Sequence, residues 1–219
     1  MKPYRLVIFD WEGTLSDTLG NFLHSIIFAA SRFAAPPVLD PTIFRACVGL
    51  NLEHSIQKLY PNITLNQQER LLLLVQQSLW TAKAKVFLMC GAKLLLEHLD
   101  QQKILLAIAS NKSLRSLQEV LQQSEVAHFF AAIRSASQTN LKPHPQMLLE
   151  LLEELNILPH EALMIGDSPV DMEMAKSVQI DTIGFDFYQK NTQELLNSGA
   201  IAVFDQYQDI ETWLGTLTK

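Results

Sequence analysis

The chain has 219 residues, 48% apolar and 18% charged, which is core-forming material for one large domain or a domain carrying an insertion, and excludes a disordered chain. Its formal charge of −6 argues against a broad nucleic-acid or anionic-membrane surface but leaves room for a small basic pocket. No apolar run approaches the roughly 18 residues of a spanning helix, the apolar stretch after Met1–Arg5 reaches Asp10 too soon for a signal peptide, and two cysteines, Cys47 and Cys90, build neither a disulfide framework nor a zinc site. The expectation is a cytoplasmic protein with reduced cysteines and no membrane or nucleic-acid partner.

Residues 4–9 read as a short strand, because consecutive apolar and β-branched residues suit a strand buried on both faces of a parallel sheet. The strand runs into a polar, glycine-containing turn, Asp10-Trp11-Glu12-Gly13-Thr14. Apolar residues at three-and-four spacing, Phe22, Leu23, Ile26, Ile27 and Ala30, predict a helix over 19–33 that Ala35-Pro36-Pro37 stops. From Pro41 to Lys85 the pattern stays helical and closes with a longer helix over 66–85 around Leu71, Leu74, Val75 and Leu79. After Gly91 helices (92–101, 113–123, 145–155, 170–177) alternate with strands (104–109, 130–134, 162–165, 181–185, 200–204). Repeated strand–helix units with short loops imply an α/β fold, a doubly wound parallel sheet of Rossmann-like kind. The helical block 17–88 interrupts the alternation right after the first strand, so it reads as an inserted all-helical cap on a core built from 1–16 and 89–219. The block carries six Lys/Arg and four Asp/Glu, a charge of +2, against −8 for the rest, a contrast that suits closure over an anionic substrate.

In an open parallel sheet, ligands bind beyond the carboxyl ends of the strands. Those ends carry Asp10 and then Glu12, Ser110 with Asn111, and Asp167 followed by Asp171, while Lys142 stands just before a helix in Asn140-Leu-Lys-Pro-His-Pro145. Crowded carboxylates repel and raise one another's pKa. A hard divalent cation removes that penalty, and an oxygen-rich set of this kind suits Mg²⁺ bound together with a phosphate. One carboxylate can then attack phosphorus, a lysine and a hydroxyl can hold the phosphoryl oxygens, and a second carboxylate can protonate the leaving alcohol and later activate water. Each residue also has a plainer use. Ser110 is a good N-cap for the following helix, Asp171 a first-turn helix acid, Arg45 a solvated charge and Gly49 a helix end.

Asp10-Trp-Glu-Gly-Thr14, the strand-terminal Ser110, Lys142-Pro143 and Gly166-Asp167-Ser-Pro-Val-Asp171 resemble, in order and spacing, the four motifs of the haloacid dehalogenase-like superfamily. The match covers essentially the whole chain. The helical insertion and the tail, with Leu195, Leu196, Gly199 and Ala200 before a last strand, resemble the phosphoglycolate phosphatase-like branch. The resemblance implies a Mg²⁺-dependent phosphatase of a small phosphorylated metabolite, monomeric or dimeric, working through an aspartyl-phosphate. It implies that Asp10 is nucleophile and metal ligand, and that Glu12 supplies a backbone carbonyl to the metal and the acid/base side chain. Ser110 and Asn111 would bind the phosphoryl group, Thr14 would belong to the motif turn, and Lys142 would neutralise nucleophile and phosphate. Asp167 and Asp171 would complete the metal site, and Arg45 and Gly49 of the cap would approach the substrate.

Two positions depart from the family pattern. Phosphate-ester hydrolases of the family carry Asp where this chain has Glu12, and the segment before the second core helix reads Met89-Cys90-Gly91 where Pro-Gly is usual. One extra methylene moves a carboxyl group by about 1 Å, and misplacement on that scale costs roughly 10²-fold in rate, so slow hydrolysis of ordinary esters is expected. Competing readings are a phosphomutase, a phosphonatase, which would share Trp11 but need a lysine where Leu52 stands, and a weakly active or inactive member that only binds a ligand or partner. A metal-free dehalogenase fits less well, since both Asp167 and Asp171 are kept.

Overall fold

Four fully buried apolar residues form β1 (Leu6–Phe9), the centre of the sheet. The structure, a computed structural model, describes residues 4–31, 37–38, 40–47, 50–81 and 86–217. The chain divides into two compact units, Met1–Asp17 with Leu88–Lys219, and Thr18–Phe87.

The second unit is helical: α1 (Thr18–Ala30), α2 (Pro41–Ala46), α3 (Leu52–Leu59) and α4 (Leu65–Thr81). Leu23, Ile26 and Ala30 of α1 pack with Ile56 and Leu59 of α3 and Leu71 and Val75 of α4, each buried on the stripe that its spacing predicts. The Asn51 side chain caps α3 by accepting from the His54 N–H at 3.0 Å. Thr64 and Gln67 form a reciprocal box before α4, the Thr64 hydroxyl accepting from the Gln67 N–H and the Gln67 side chain from the Thr64 N–H. The helix expected over 19–33 ends at Ala30, and the one expected over 66–85 is described over Leu65–Thr81; residues 32–36 and 82–85 lie outside the described residues.

The first unit continues with α5 (Ala92–Gln101), β2 (Leu105–Ser110), α6 (Leu114–Gln123), β3 (Ala132–Ser135), α7 (Gln146–Leu155), β4 (Ala162–Gly166), α8 (Pro169–Ser177), β5 (Asp181–Phe185), α9 (Thr192–Ser198), β6 (Ala202–Phe204) and α10 (Tyr207–Thr216). The six strands form one parallel sheet in the order β3-β2-β1-β4-β5-β6. Leu6, Ile8, Ala107, Ala109, Ala162 and Met164 bury one face against α7 and α8, and the alternate positions, among them Val7, Phe9, Ile108 and Ile165, are equally buried. A sheet covered on both faces accounts for the continuous apolar runs of its strands. The strand expected over 130–134 starts only at Ala132, because Ala127–Phe129 coil into a short 3₁₀ turn. No helix among the described residues is long and apolar enough to cross a membrane.

Strand order reverses at β1, whose neighbours are β2 on one side and β4 on the other, so the switch point of the sheet lies between β1 and β4. The register pairs Phe9 with Ile108 of β2 and Ile165 of β4. Asp10, Ser110 and the Gly166-Asp167 step therefore leave the sheet at the same level, on three adjacent strands.

Candidate active site

At that edge three carboxylate oxygens, one each from Asp10, Asp167 and Asp171, lie within 4.8 Å of one another. The Asp10 N–H donates to the Ile165 carbonyl at 2.9 Å, which continues the β1–β4 ladder one residue further and fixes the first carboxylate against the second. Lys142 reaches the group from the loop before α7, its ammonium 2.5 Å from Asp10 Oδ1 and 2.6 Å from Asp171 Oδ1 with a side chain that is 2% exposed. Asp171 is held from its other oxygen by the Ser168 N–H and hydroxyl, a capping box that opens α8. The first-turn helix reading of Asp171 is thus also true: one carboxylate caps a helix with one oxygen and faces the site with the other.

Two glycines make this crowding possible. Gly13, at φ +80°, lies so close to Asp167 that a Cβ would collide with its carboxylate, and the turn around it is pinned by Gly13 N–H to Ser16 carbonyl and Ser16 N–H to Trp11 carbonyl bonds. At Gly166 a Cβ would stand 2.5 Å from Asp171 Cβ and Cγ.

The electrostatics are unbalanced. Burial pushes the Asp10 carboxyl up to about 6, with the Asp171 charge adding to the rise and Lys142 opposing it. Asp167 is held well above the usual carboxylate range by burial, then by the charges of Asp10 and Asp171. Burial alone would depress Lys142, but Asp10 and Asp171 outweigh it and hold the ammonium above its ordinary range. One ammonium among three carboxylates leaves uncompensated negative charge. That excess and an all-oxygen donor set fit a hard divalent cation.

The remaining expected residues sit as follows. Ser110 is buried at the end of β2, where its hydroxyl accepts from the Lys112 N–H at 3.2 Å. It does not cap α6; Ser113 does, accepting from the Ser116 N–H, because the helix starts four residues later than the strand end. Asn111 accepts from the Lys142 N–H at 3.0 Å and so ties the β2 loop to the lysine loop. Thr14 is fully buried, and its hydroxyl has no hydrogen-bond partner among the described residues. Glu12 stands apart from the three clustered carboxylates, with a side chain that is 51% exposed and Oε1 2.8 Å from the Lys112 ammonium. Arg45 lies in α2 of the helical unit, and Gly49 lies outside the described residues. Cys47 is buried, Cys90 is exposed, and both are free.

Three contributors escaped the sequence reading. Ser168 had a visible signal, the Ser-x-x-Asp spacing of a capping box. Lys112 follows Ser110 by two residues in a strand-end loop. Tyr207 sits 40 residues past Asp167 on α10, and nothing in its neighbourhood pointed to the first turn, yet its hydroxyl donates to the Thr14 carbonyl.

Fold and site together define a doubly wound α/β protein whose acidic centre stands where the strand order reverses. The haloacid dehalogenase-like hydrolase family matches residues 7–185, from β1 through β5, and the chain belongs to that family. It is 29% identical over 223 residues to a phosphoglycolate phosphatase of Vibrio cholerae, covering 98% of this chain and 97% of that one. It is 26% identical over 221 residues to a phosphoglycolate phosphatase of Mannheimia succiniciproducens, covering 95% and 97%. These matches make the chain similar to phosphoglycolate phosphatases over nearly its whole length. The fold is shared with a HAD-superfamily hydrolase from Ehrlichia chaffeensis, at a TM-score of 0.65, 24% identity and full coverage of both chains.

Proposed function

We propose that the protein is a Mg²⁺-dependent phosphatase of a small phosphorylated metabolite of the phosphoglycolate kind, working through an aspartyl-phosphate on Asp10. The observation that carries this reading is the buried Lys142 ammonium bridging Asp10 and Asp171 within the three-carboxylate cluster. Asp10, Asp167, Asp171 and the Glu12 carbonyl would hold the ion, which supplies charge neutralisation of carboxylates and phosphate when bound.

The Asp10 carboxylate forms the new bond to phosphorus as the bond to the leaving oxygen breaks, and Glu12 gives that oxygen its proton. Ser110 and the surrounding backbone N–H groups hold the phosphoryl oxygens, and Lys142 offsets charge on nucleophile and phosphate. In the second half Glu12 takes a proton from water, the water oxygen bonds phosphorus, and the bond to Asp10 breaks to release orthophosphate. Selection of the substrate is assigned to the helical unit, Thr18–Phe87.

The test is a panel of phosphorylated metabolites and p-nitrophenyl phosphate with and without Mg²⁺, on the parent and on Asp10→Asn. Mg²⁺-dependent release of orthophosphate that falls by roughly 10³-fold or more in Asp10→Asn supports the reading. Activity within tenfold of the parent in that variant rules out Asp10 as nucleophile. A folded protein inactive on every ester is a binding module and not an enzyme of this kind.

A further inference from the structure

The Lys112 ammonium meets Glu12 Oε1 at 2.8 Å across two loops that leave adjacent strands, β1 and β2. Both ends of this contact are anchored. The Lys112 N–H donates to the Ser110 hydroxyl, and its carbonyl accepts from the fully buried Ser135 hydroxyl at 2.7 Å. Glu12 sits in the turn that Gly13, Ser16 and Trp11 close through their backbone bonds. The Lys112 side chain is only 22% exposed, so its stem is packed while Glu12 is half in solvent.

We infer that Lys112 is the positioning residue of Glu12, fixing where the longer acid presents its carboxyl group; this rests on the reading of Glu12 as proton donor and acceptor. A glutamate has one more rotatable bond than an aspartate, and a half-exposed one spreads over several rotamers. Placement errors near 1 Å cost about 10²-fold in rate, so an unrestrained Glu12 would spend much of its time out of reach of the leaving oxygen. An ammonium with a pinned backbone removes that freedom, and the extra methylene is the length that spans to it. Exposed ion pairs add little to stability, so the effect of this one belongs in turnover and not in melting.

The experiment is a cycle of Lys112→Met, Lys112→Arg, Glu12→Gln and the Lys112→Met/Glu12→Gln double variant. It is run with Mg²⁺ on the alkyl phosphate monoester that the parent turns over fastest and on p-nitrophenyl phosphate. Lys112→Met is expected to lower kcat for the alkyl ester about tenfold with KM little changed, to affect p-nitrophenyl phosphate less, and to leave the melting temperature in place. Lys112→Arg is expected to restore most of the loss, and Lys112→Met is expected to add nothing once residue 12 is Gln. An additive loss in the double variant, a rise in KM alone, or unchanged kinetics overturns the role. A parent that turns over neither ester overturns the phosphatase reading and this role with it, whereas an active parent with an additive cycle overturns only the role.

Discussion

The Tyr207 hydroxyl donates a 2.6 Å hydrogen bond to the carbonyl of Thr14, tying the last helix to the turn that follows Asp10. The ring stacks on Phe185 at 4.2 Å between centroids, and the side chain is almost fully buried. Burial, with the charges of Asp167 and Asp10 beyond it, holds the phenol well above its usual pKa, so it stays a donor. Tyr207→Phe keeps the stack but strands a buried carbonyl, a loss of about 1–3 kcal/mol. A melting temperature lower by about 2–4 °C per kcal/mol is expected, with turnover reduced as the turn loosens. Unchanged melting and unchanged turnover would show that the turn does not depend on α10.

Gly13 tests the other side of the same turn. Its φ of +80° and the contact a Cβ would make with the Asp167 carboxylate combine two separate costs. Backbone strain at such a position is worth about 1–3 kcal/mol, and the collision must move Asp167 or the turn. Gly13→Ala is therefore expected to weaken Mg²⁺ binding, measured by calorimetry, along with stability. A variant that melts lower but binds Mg²⁺ like the parent would assign the glycine to folding alone.

The raised carboxyl of Asp10 sets a pH dependence. Its value is 3.8 unfolded and about 6 in the fold, so well below 3.8 both states hold the proton and the group contributes no difference. As pH rises from about 4 to about 6 the unfolded state ionises first, and the metal-free fold loses stability through this group. A cation must displace the proton below about pH 6 and need not above it. The rise in melting temperature produced by millimolar Mg²⁺ should therefore grow from pH 5 to pH 7. An increment that is flat or shrinks over that range contradicts binding at Asp10.

Much of this was legible beforehand, for identifiable reasons. A parallel sheet buried on both faces writes itself as apolar runs, and the residues closing those runs, Asp10, Ser110 and Asp167, have to emerge at one edge. Apolar periodicity likewise marked α1 and α4. What stayed hidden depends on distances that sequence separation does not encode. The Glu12–Lys112 pair spans 100 positions and the Tyr207–Thr14 bond 193, and each joins segments that only the fold brings together, two loops in the first case and a helix and a turn in the second. The last element expected from the sequence is the strand over 200–204; α10 lies beyond it, and its role comes from a side chain that touches backbone.

Glu12 gives the sharpest remaining test. From the sequence, the extra methylene predicts a misplaced acid and slow hydrolysis. The structure gives that length a destination, because Oε1 reaches the Lys112 ammonium. Glu12→Asp keeps the acid, whose ordinary pKa of ~3.9 is close to the ~4.3 of Glu, but draws the carboxylate away from Lys112 by about one bond. If the contact positions the acid, Glu12→Asp lowers kcat for alkyl phosphates, and Glu12→Gln, which cannot carry the proton, lowers it by about 10²-fold or more. p-Nitrophenyl phosphate, whose leaving group needs little protonation, should lose less in both variants. Mg²⁺ affinity should hold in both, because the proposed ligand at this position is the backbone carbonyl and not the side chain. A Glu12→Asp variant faster than the parent on alkyl esters would show that the longer side chain is simply misplaced and that Lys112 does not compensate for it.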